Sequence, residues 1–224
     1  MKRFFLIFAT FSCFLCQMSA QEAKVWRDHK LESEMAKKII RDNPGWKRTL
    51  DNFSLYRKPG GLNLWICGGE IRNLSALAEY DFNTAWLLDT SVDDLSFLRN
   101  SKSLIQVVLR NTKNNGKILD LSGIKGKPVA SLYIDNISIK SIEPVVNMKF
   151  RGLKIRNTKG VNFNLFSNLE DLNSFSAAGT DIKDVEFLKK CKKLKYVDLS
   201  NTAVDGTFKI ESPKNKTMSI MISQ

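Results

Sequence analysis

Apolar positions recur along most of this chain in one fixed frame. In "LKYVDLSNTAV", with Leu194 as position 0, apolar residues follow at +3 (Val197), +5 (Leu199) and +10 (Val204), with Thr202 at +8. Twenty-two residues upstream, Leu172 opens the same frame with Phe175, Ala177, Thr180 and Ile182, then Val185 at +13 and Leu188 at +16. Phe150 precedes Leu153, Ile155 and Thr158. Val129 precedes Leu132, Ile134, Ile137, Ile139, Ile142 and Val145. Leu104 precedes Val107, Leu109 and Thr112, and Phe82 precedes Ala85, Leu87, Thr90, Val92, Leu95 and Leu98. Pro59 opens the first unit with Leu62, Leu64 and Cys67, after which the frame slips by a residue or two to Ile71, Leu74 and Leu77. The starts at 59, 82, 104, 129, 150, 172 and 194 are spaced by 21 to 25 residues, and five of the seven units carry Thr at +8.

The frame predicts one kind of unit. Alternation at +3 and +5 is a short strand with one face buried. The residue at +8 ends the strand in a turn, where a hydroxyl can satisfy backbone groups that would otherwise be buried unpaired. Apolar residues at +10, +13 and +16 return the chain over the far side of the core. One such coil cannot cover its own apolar face, so neighbours must stack into a solenoid.

The frame L-x-x-L-x-L-x-x-T-x-[IV]-x-D-[LV]-x-F-L resembles a leucine-rich repeat over residues 59–210. "TSVDDLSFL" and "TDIKDVEFL" are especially similar to the 22-residue repeats of secreted bacterial internalin-like proteins. Two departures stand out: Thr replaces the family's usual Asn at +8, and the unit from Leu104 carries an insertion, "NNGKILDLSGIKGKP". The resemblance implies an α/β-type repeat solenoid, a curved horseshoe with a parallel sheet on its concave side. It also implies binding of another macromolecule rather than catalysis.

A solenoid needs capped ends. Residues 28–42 read as a helix with Leu31, Met35 and Ile39 four apart, Asp28 as N-cap and Asn43-Pro44-Gly45 as stop. With Trp46, Leu50, Phe53, Leu55 and Tyr56 behind it, this makes residues 21–58 an N-terminal helical cap. At the other end, "ESPKNK" reads as a turn, and Met218, Ile220 and Ile222 as a closing strand within a C-terminal cap at 211–224. The first twenty residues read as an export signal: Lys2 and Arg3, the apolar run "FFLIFATFSCFLC", then Met18-Ser19-Ala20 with a small residue suited to cleavage. A lipoprotein anchored at Cys16 or Cys13 is the alternative. Beyond residue 20 no segment is long and apolar enough to cross a membrane. These signals place the mature chain outside the cell or in the periplasm or cell envelope.

Strand positions +2, +4, +6 and +7 face away from the core. In the frame opened at Pro59, row +4 reads Asn63, Trp86, Val108, Tyr133, Lys154, Ser176, Asp198. Row +6 reads Trp65, Leu88, Arg110, Asp135, Arg156, Ala178, Ser200. Nothing in the fold requires Trp at such positions, and aromatic and Arg clusters are what interfaces use. Trp65, Trp86, Leu88, Arg110, Tyr133, Lys154, Arg156 and Tyr196 are therefore the candidate partner-binding residues. The alternative is that the N-terminal cap covers Trp65 and Trp86.

Charge adds a second candidate. The chain has 35 bases against 23 acids, a net charge of +12, and loss of Lys2 and Arg3 with the signal would leave +10. Such a balance favours acidic partners. Lys189, Lys190, Lys192, Lys193 and Lys195 surround Cys191 in a connecting loop, a solvated face or a patch for an anionic glycan or envelope polymer. No nucleic-acid module is recognisable. Cys67 lies in the first unit and Cys191 just before the seventh, about 29 Å apart at ~4.8 Å per strand over six steps, too far for a bridge. Cys67 reads as a small core residue in the place Thr takes elsewhere. Cys191 aligns with Ser101 as a loop residue, with a thiolate favoured by the lysines as the rival reading. His29 is the single histidine, which removes a His-based triad and most zinc sites. Neither a cofactor motif nor a paired carboxylate stands out, and Asp94 and Asp184 share +12 as part of the repeat. The sequence reads as a binding module, not an enzyme.

Overall fold

A computed structural model of the chain describes residues 26–112, 118–204 and 219–221. The expected export signal, the "ESPKNK" turn and most of the 211–224 cap lie outside these residues. The chain opens with β1 (Trp26–Arg27), helix α1 (His29–Asp42), β2 (Phe53–Lys58) and β3 (Gly61–Cys67). Then come β4 (Phe82–Leu88), β5 (Gln106–Arg110), β6 (Ile118–Leu119), β7 (Ser131–Asp135) and β8 (Ser138–Ile139). It closes with β9 (Gly152–Arg156), β10 (Ser174–Ser176), β11 (Tyr196–Asp198) and β12 (Ser219–Met221).

One ten-stranded sheet runs β1-β2-β3-β4-β5-β7-β9-β10-β11-β12, and β6 pairs with β8 separately. The pairings β1–β2 and β2–β3 are antiparallel, and every later one in the large sheet is parallel. The result is mainly a parallel sheet with one mixed edge and few helices, a repeat-like α/β arrangement. Successive strands are joined across the far side of the core by short 3-10 turns: Ser75–Leu77, Ser96–Leu98, Ser122–Ile124, Glu143–Val145, Phe163–Leu165 and Glu186–Lys190.

The residue frame explains these units. The strand pairs Leu64/Ile66, Ala85/Leu87, Val107/Leu109, Leu132/Ile134, Leu153/Ile155, Phe175/Ala177 and Val197/Leu199 are all buried. Behind them Leu74, Leu77, Leu95, Leu98, Leu121, Ile124, Ile142, Val145, Val185 and Leu188 close the core from the turn side. An Asp, Asn or Ser side chain starts each 3-10 turn by accepting a backbone N–H two residues on. Asp94 takes Ser96 at 2.6 Å, Asp120 takes Ser122 at 2.8 Å and Asp184 takes Glu186 at 2.8 Å. That is the physical meaning of the recurring Asp at +12. The threonines at +8 act as expected: Thr180 and Thr202 Oγ1 donate to Ala177 and Leu199 carbonyls at 2.6 and 2.7 Å. Thr158 Oγ1 donates to Ile137 of the preceding coil at 3.0 Å.

Four corrections concern register and caps. From Asn63 onward β3 pairs with β4 as Asn63↔Thr84, Leu64↔Ala85, Trp65↔Trp86 and Cys67↔Leu88, after an irregularity at Leu62/Asn63. The first unit therefore opens at Gly61, not Pro59, and the apparent slip at Ile71, Leu74 and Leu77 disappears. Trp65 accordingly stands at +4, and Cys67 at +6, on the face away from the core rather than in the place of Thr. The region 21–58 holds helix α1, capped by Asp28 as expected at 3.1 Å to the Leu31 N–H, but also strands β1 and β2, absent from the sequence reading. The closing strand is present as Ser219–Met221.

Candidate functional site

With the first unit reset, three rows of side chains cross the face of the sheet opposite the core. Row +2 is Asn63, Thr84, Gln106, Ser131, Gly152, Ser174, Tyr196. Row +4 is Trp65, Trp86, Val108, Tyr133, Lys154, Ser176, Asp198. Row +6 begins Cys67, Leu88, Arg110, Asp135 and Arg156. The two tryptophans, assigned to different rows from the sequence, are direct cross-strand neighbours.

The face is less open than a bare strand pattern suggests. Of the eight candidate residues only Arg110 is exposed; Trp65, Trp86, Leu88, Tyr133, Lys154, Arg156 and Tyr196 are half-buried. Val108, Ser174, Ser176, Ala178 and Asp198 are buried outright, although their positions point away from the core. Trp86 Nε1 donates to Gln106 at 3.2 Å and Thr84 Oγ1 to Asn63 at 2.9 Å. Long side chains thus lean on their neighbours and cover the short ones between them.

The centre of the face shows this best. The Lys154 ammonium lies 5.1 Å from the Tyr133 ring centre and 5.4 Å from that of Tyr196, close enough for cation–π attraction to both. Lys154 sits on β9 and Tyr196 on β11, two strand steps apart, roughly 10 Å. Their contact must pass over β10, which accounts for the burial of Ser174 and Ser176. Tyr133 leans the same way: a Cβ at Gly152 would lie 3.1 Å from its hydroxyl, so the glycine makes room for the ring. Burial, then the positive charge of Arg156, push the Lys154 pKa down, opposed by Asp198. Burial pushes the Tyr133 and Tyr196 phenols up.

The acids here are engaged. Asp135 accepts from Asn157 Nδ2 at 2.7 Å and lies 3.9 Å from Arg110 Nε. Asp198, 5% exposed, accepts from Ser176 Oγ at 3.2 Å and Ser200 Oγ at 2.7 Å. Among the described residues, Arg156 Nε and Ser174 Oγ are buried atoms without a hydrogen-bond partner.

The lysine loop looks different from its sequence. Lys189, Lys190, Lys192, Lys193 and Lys195 are exposed, but Lys189 pairs with Glu186 at 2.6 Å and Lys193 with Asp171. Cys191 does align with Ser101, yet both are core residues rather than loop surface: Cys191 is 3% exposed and Ser101 0%. Burial pushes the Cys191 thiol up to about 11, so the thiolate reading fails despite four flanking lysines. Cys67 and Cys191 are both free thiols.

His29 starts helix α1, away from the face. No cluster of His, Cys, Asp or Glu among the described residues is arranged to hold a metal ion. No helix among them is long and apolar enough to cross a membrane. Neither a protein-family profile nor a curated protein sequence matches the chain.

A signal the sequence reading passed over is the +7 position. Gly68, Asp89, Asn136, Asn157, Gly179 and Asn201 all have positive φ, from 51° to 141°. Glycine, Asn and Asp tolerate that conformation best. Each of the first five also donates its N–H to the +6 carbonyl of the next strand: Leu88, Arg110, Arg156, Ala178 and Ser200. The run of Gly, Asp and Asn at this position was visible in the sequence.

Proposed function

We propose that this chain is an exported binding module of leucine-rich-repeat type, a curved solenoid that recognises a protein partner through the sheet face opposite its core. The observation that carries this reading is the side-by-side placement of Trp65 and Trp86, with Leu88 beside them and Tyr133, Lys154 and Arg156 farther along. The core is filled from the other face, so these large side chains are not needed to complete it. Aromatic and Arg side chains on a shallow half-buried face suit interface anchors, which give up little conformational entropy on binding. The repeat frame and the parallel strand order support the solenoid. The basic start and apolar run at residues 1–20 support export.

The test is direct. A partner captured from the native culture medium or envelope should bind the Trp86→Ala and Tyr133→Ala proteins at least about tenfold more weakly, each truncation of an anchor being worth about 1.4 kcal/mol or more. Thermal unfolding should show both variants folded. Unchanged affinity in both rejects the reading.

Adhesion to an anionic glycan or envelope polymer is the second reading, supported by the net charge of +12 and five exposed lysines. Two of those lysines already have acidic partners, which weakens it. Heparin binding that collapses between low and moderate salt would favour it over the first.

A further inference from the structure

The centre of the sheet face has an unmet chemical demand. Arg156 Nε and Ser174 Oγ are both donors, both buried and, among the described residues, both unpartnered. Ser174 is 4% exposed and lies under the bridge that Lys154 makes with Tyr196. Lys154 and Arg156 are two residues apart on β9 and so point to the same side of the sheet. Of the carboxylates on this face, Asp135 takes Asn157 and lies 3.9 Å from Arg110, and Asp198 takes Ser176 and Ser200 while its charge also acts on Lys154. A buried donor without an acceptor is costly, and an oxyanion arriving beside Arg156 would supply one. It would also offset the burial and, after it, the Arg156 charge that together lower the Lys154 pKa.

The apolar end of the same row fixes the second half of the ligand. Trp86 and Lys154 stand in row +4, three strand steps apart through Val108 and Tyr133. Three steps span ~14 Å, the length of about four residues of extended chain. Resting on the binding reading above, we propose that the face takes an extended acidic segment of a protein partner. One Asp or Glu carboxylate sits between the Arg156 guanidinium and the Lys154 ammonium, two residues apart on β9. An apolar side chain about four residues away packs on Trp65, Trp86 and Leu88. Charge complementarity selects a carboxylate, since Lys154 and Arg156 are both cations and Arg156 Nε is an unmet donor.

A displayed library of random linear peptides, selected against the full-length protein, tests this. Enriched peptides should pair Asp or Glu with Trp, Phe, Leu or Met about four residues away. A synthetic peptide made from them should bind Lys154→Met and Arg156→Gln at least about tenfold more weakly, as expected for lost hydrogen bonds to a charge. Lys154→Arg should retain binding. Changing the peptide Glu to Gln should cost the same factor on wild type and little further on Lys154→Met. Lys154→Met keeps the packing over β10, and a melting curve verifies the fold of each variant. Enriched peptides with apolar but no acidic residues overturn the inference and leave the binding reading standing. So does a Glu-to-Gln loss undiminished on both variants. If no peptide is enriched, or if Trp65→Ala and Trp86→Ala bind the peptide as wild type does, the inference falls, while the binding reading still stands or falls on the captured partner's affinity for Trp86→Ala and Tyr133→Ala.

Discussion

Cys191 shows how a residue's chemistry follows from its place rather than its neighbours in sequence. Four lysines flank it, and through-space attraction to them would lower a thiol pKa. The side chain instead turns into the core, where the loss of solvation outweighs distant, hydrated ammonium groups. With the thiol held at about 11, native Cys191 should react with iodoacetamide at mildly alkaline pH at least about a hundredfold more slowly than in the denatured chain. Peptide mass mapping would read both, and rapid native labelling would contradict the burial. Asn157 makes the complementary point. Its φ of 51° and its donation to Asp135 belong to one device, a left-handed residue whose side chain ties two coils together.

At the scale of the element, the unit that holds Ser122–Ile124 is fixed by close approach of backbones as well as by its apolar residues. Gly123 starts no turn and has no positive φ, yet a Cβ there would lie 2.2 Å from the carbonyl carbon and oxygen of Leu95. The 3-10 turn Ser122–Ile124 therefore packs backbone to backbone on Ser96–Leu98. Gly123→Ala should cost at least about 2 kcal/mol, because the clash is with main chain rather than a movable side chain. Ser122→Ala, next door and exposed, should stay within roughly 0.5 kcal/mol. Urea unfolding of the two variants checks the contrast. This element was half legible: "DLSGI" repeats the Asp-Leu-Ser start of "DLSFL", but nothing in the letters says that Gly123 meets Leu95. The change of register at Leu62/Asn63 and the strands β1 and β2 were similarly hidden, because each depends on what lies across the sheet.

At the scale of the molecule, the N-terminal end is closed by a buried charge cluster. Glu32, on α1, is 0% exposed and is bound by Arg27 from β1 at 2.7 and 2.9 Å and by Arg48 from the loop before β2. Trp46 and Phe53 pack edge to face beside it, 6.0 Å apart. Burial opposes ionisation of Glu32 most strongly, but the two arginine hydrogen bonds and their charges outweigh it and hold the carboxyl below its ordinary range. A folded pKa below the unfolded value means that the stabilisation is complete above about pH 4.3. It is lost as pH falls through the folded value. Melting temperature should therefore drop on acidification below that point. Glu32→Gln should melt lower at neutral pH, by about 2–3 kcal/mol of stability, and should show a smaller further loss in acid. Equal acid sensitivity in both proteins would show that the cluster does not control the cap.

The sequence by itself determined the unit: its length, its buried strand positions, its turn-side leucines, its threonines and its N-terminal helix. All of these follow from local periodicity, which the solvent imposes on any chain that must hide one face. The sequence also supplied the residues of the candidate face, Trp65, Trp86, Tyr133, Lys154 and Arg156. Only the tertiary structure decided how they meet. Row membership depends on register between strands some twenty residues apart, and an irregularity at Leu62/Asn63 shifts Trp65 from one row to another. Burial on the face depends on which long side chains bend across which short ones, as Lys154 and Tyr196 do over Ser174. Such contacts are set by geometry between strands, and a one-dimensional pattern carries no record of them.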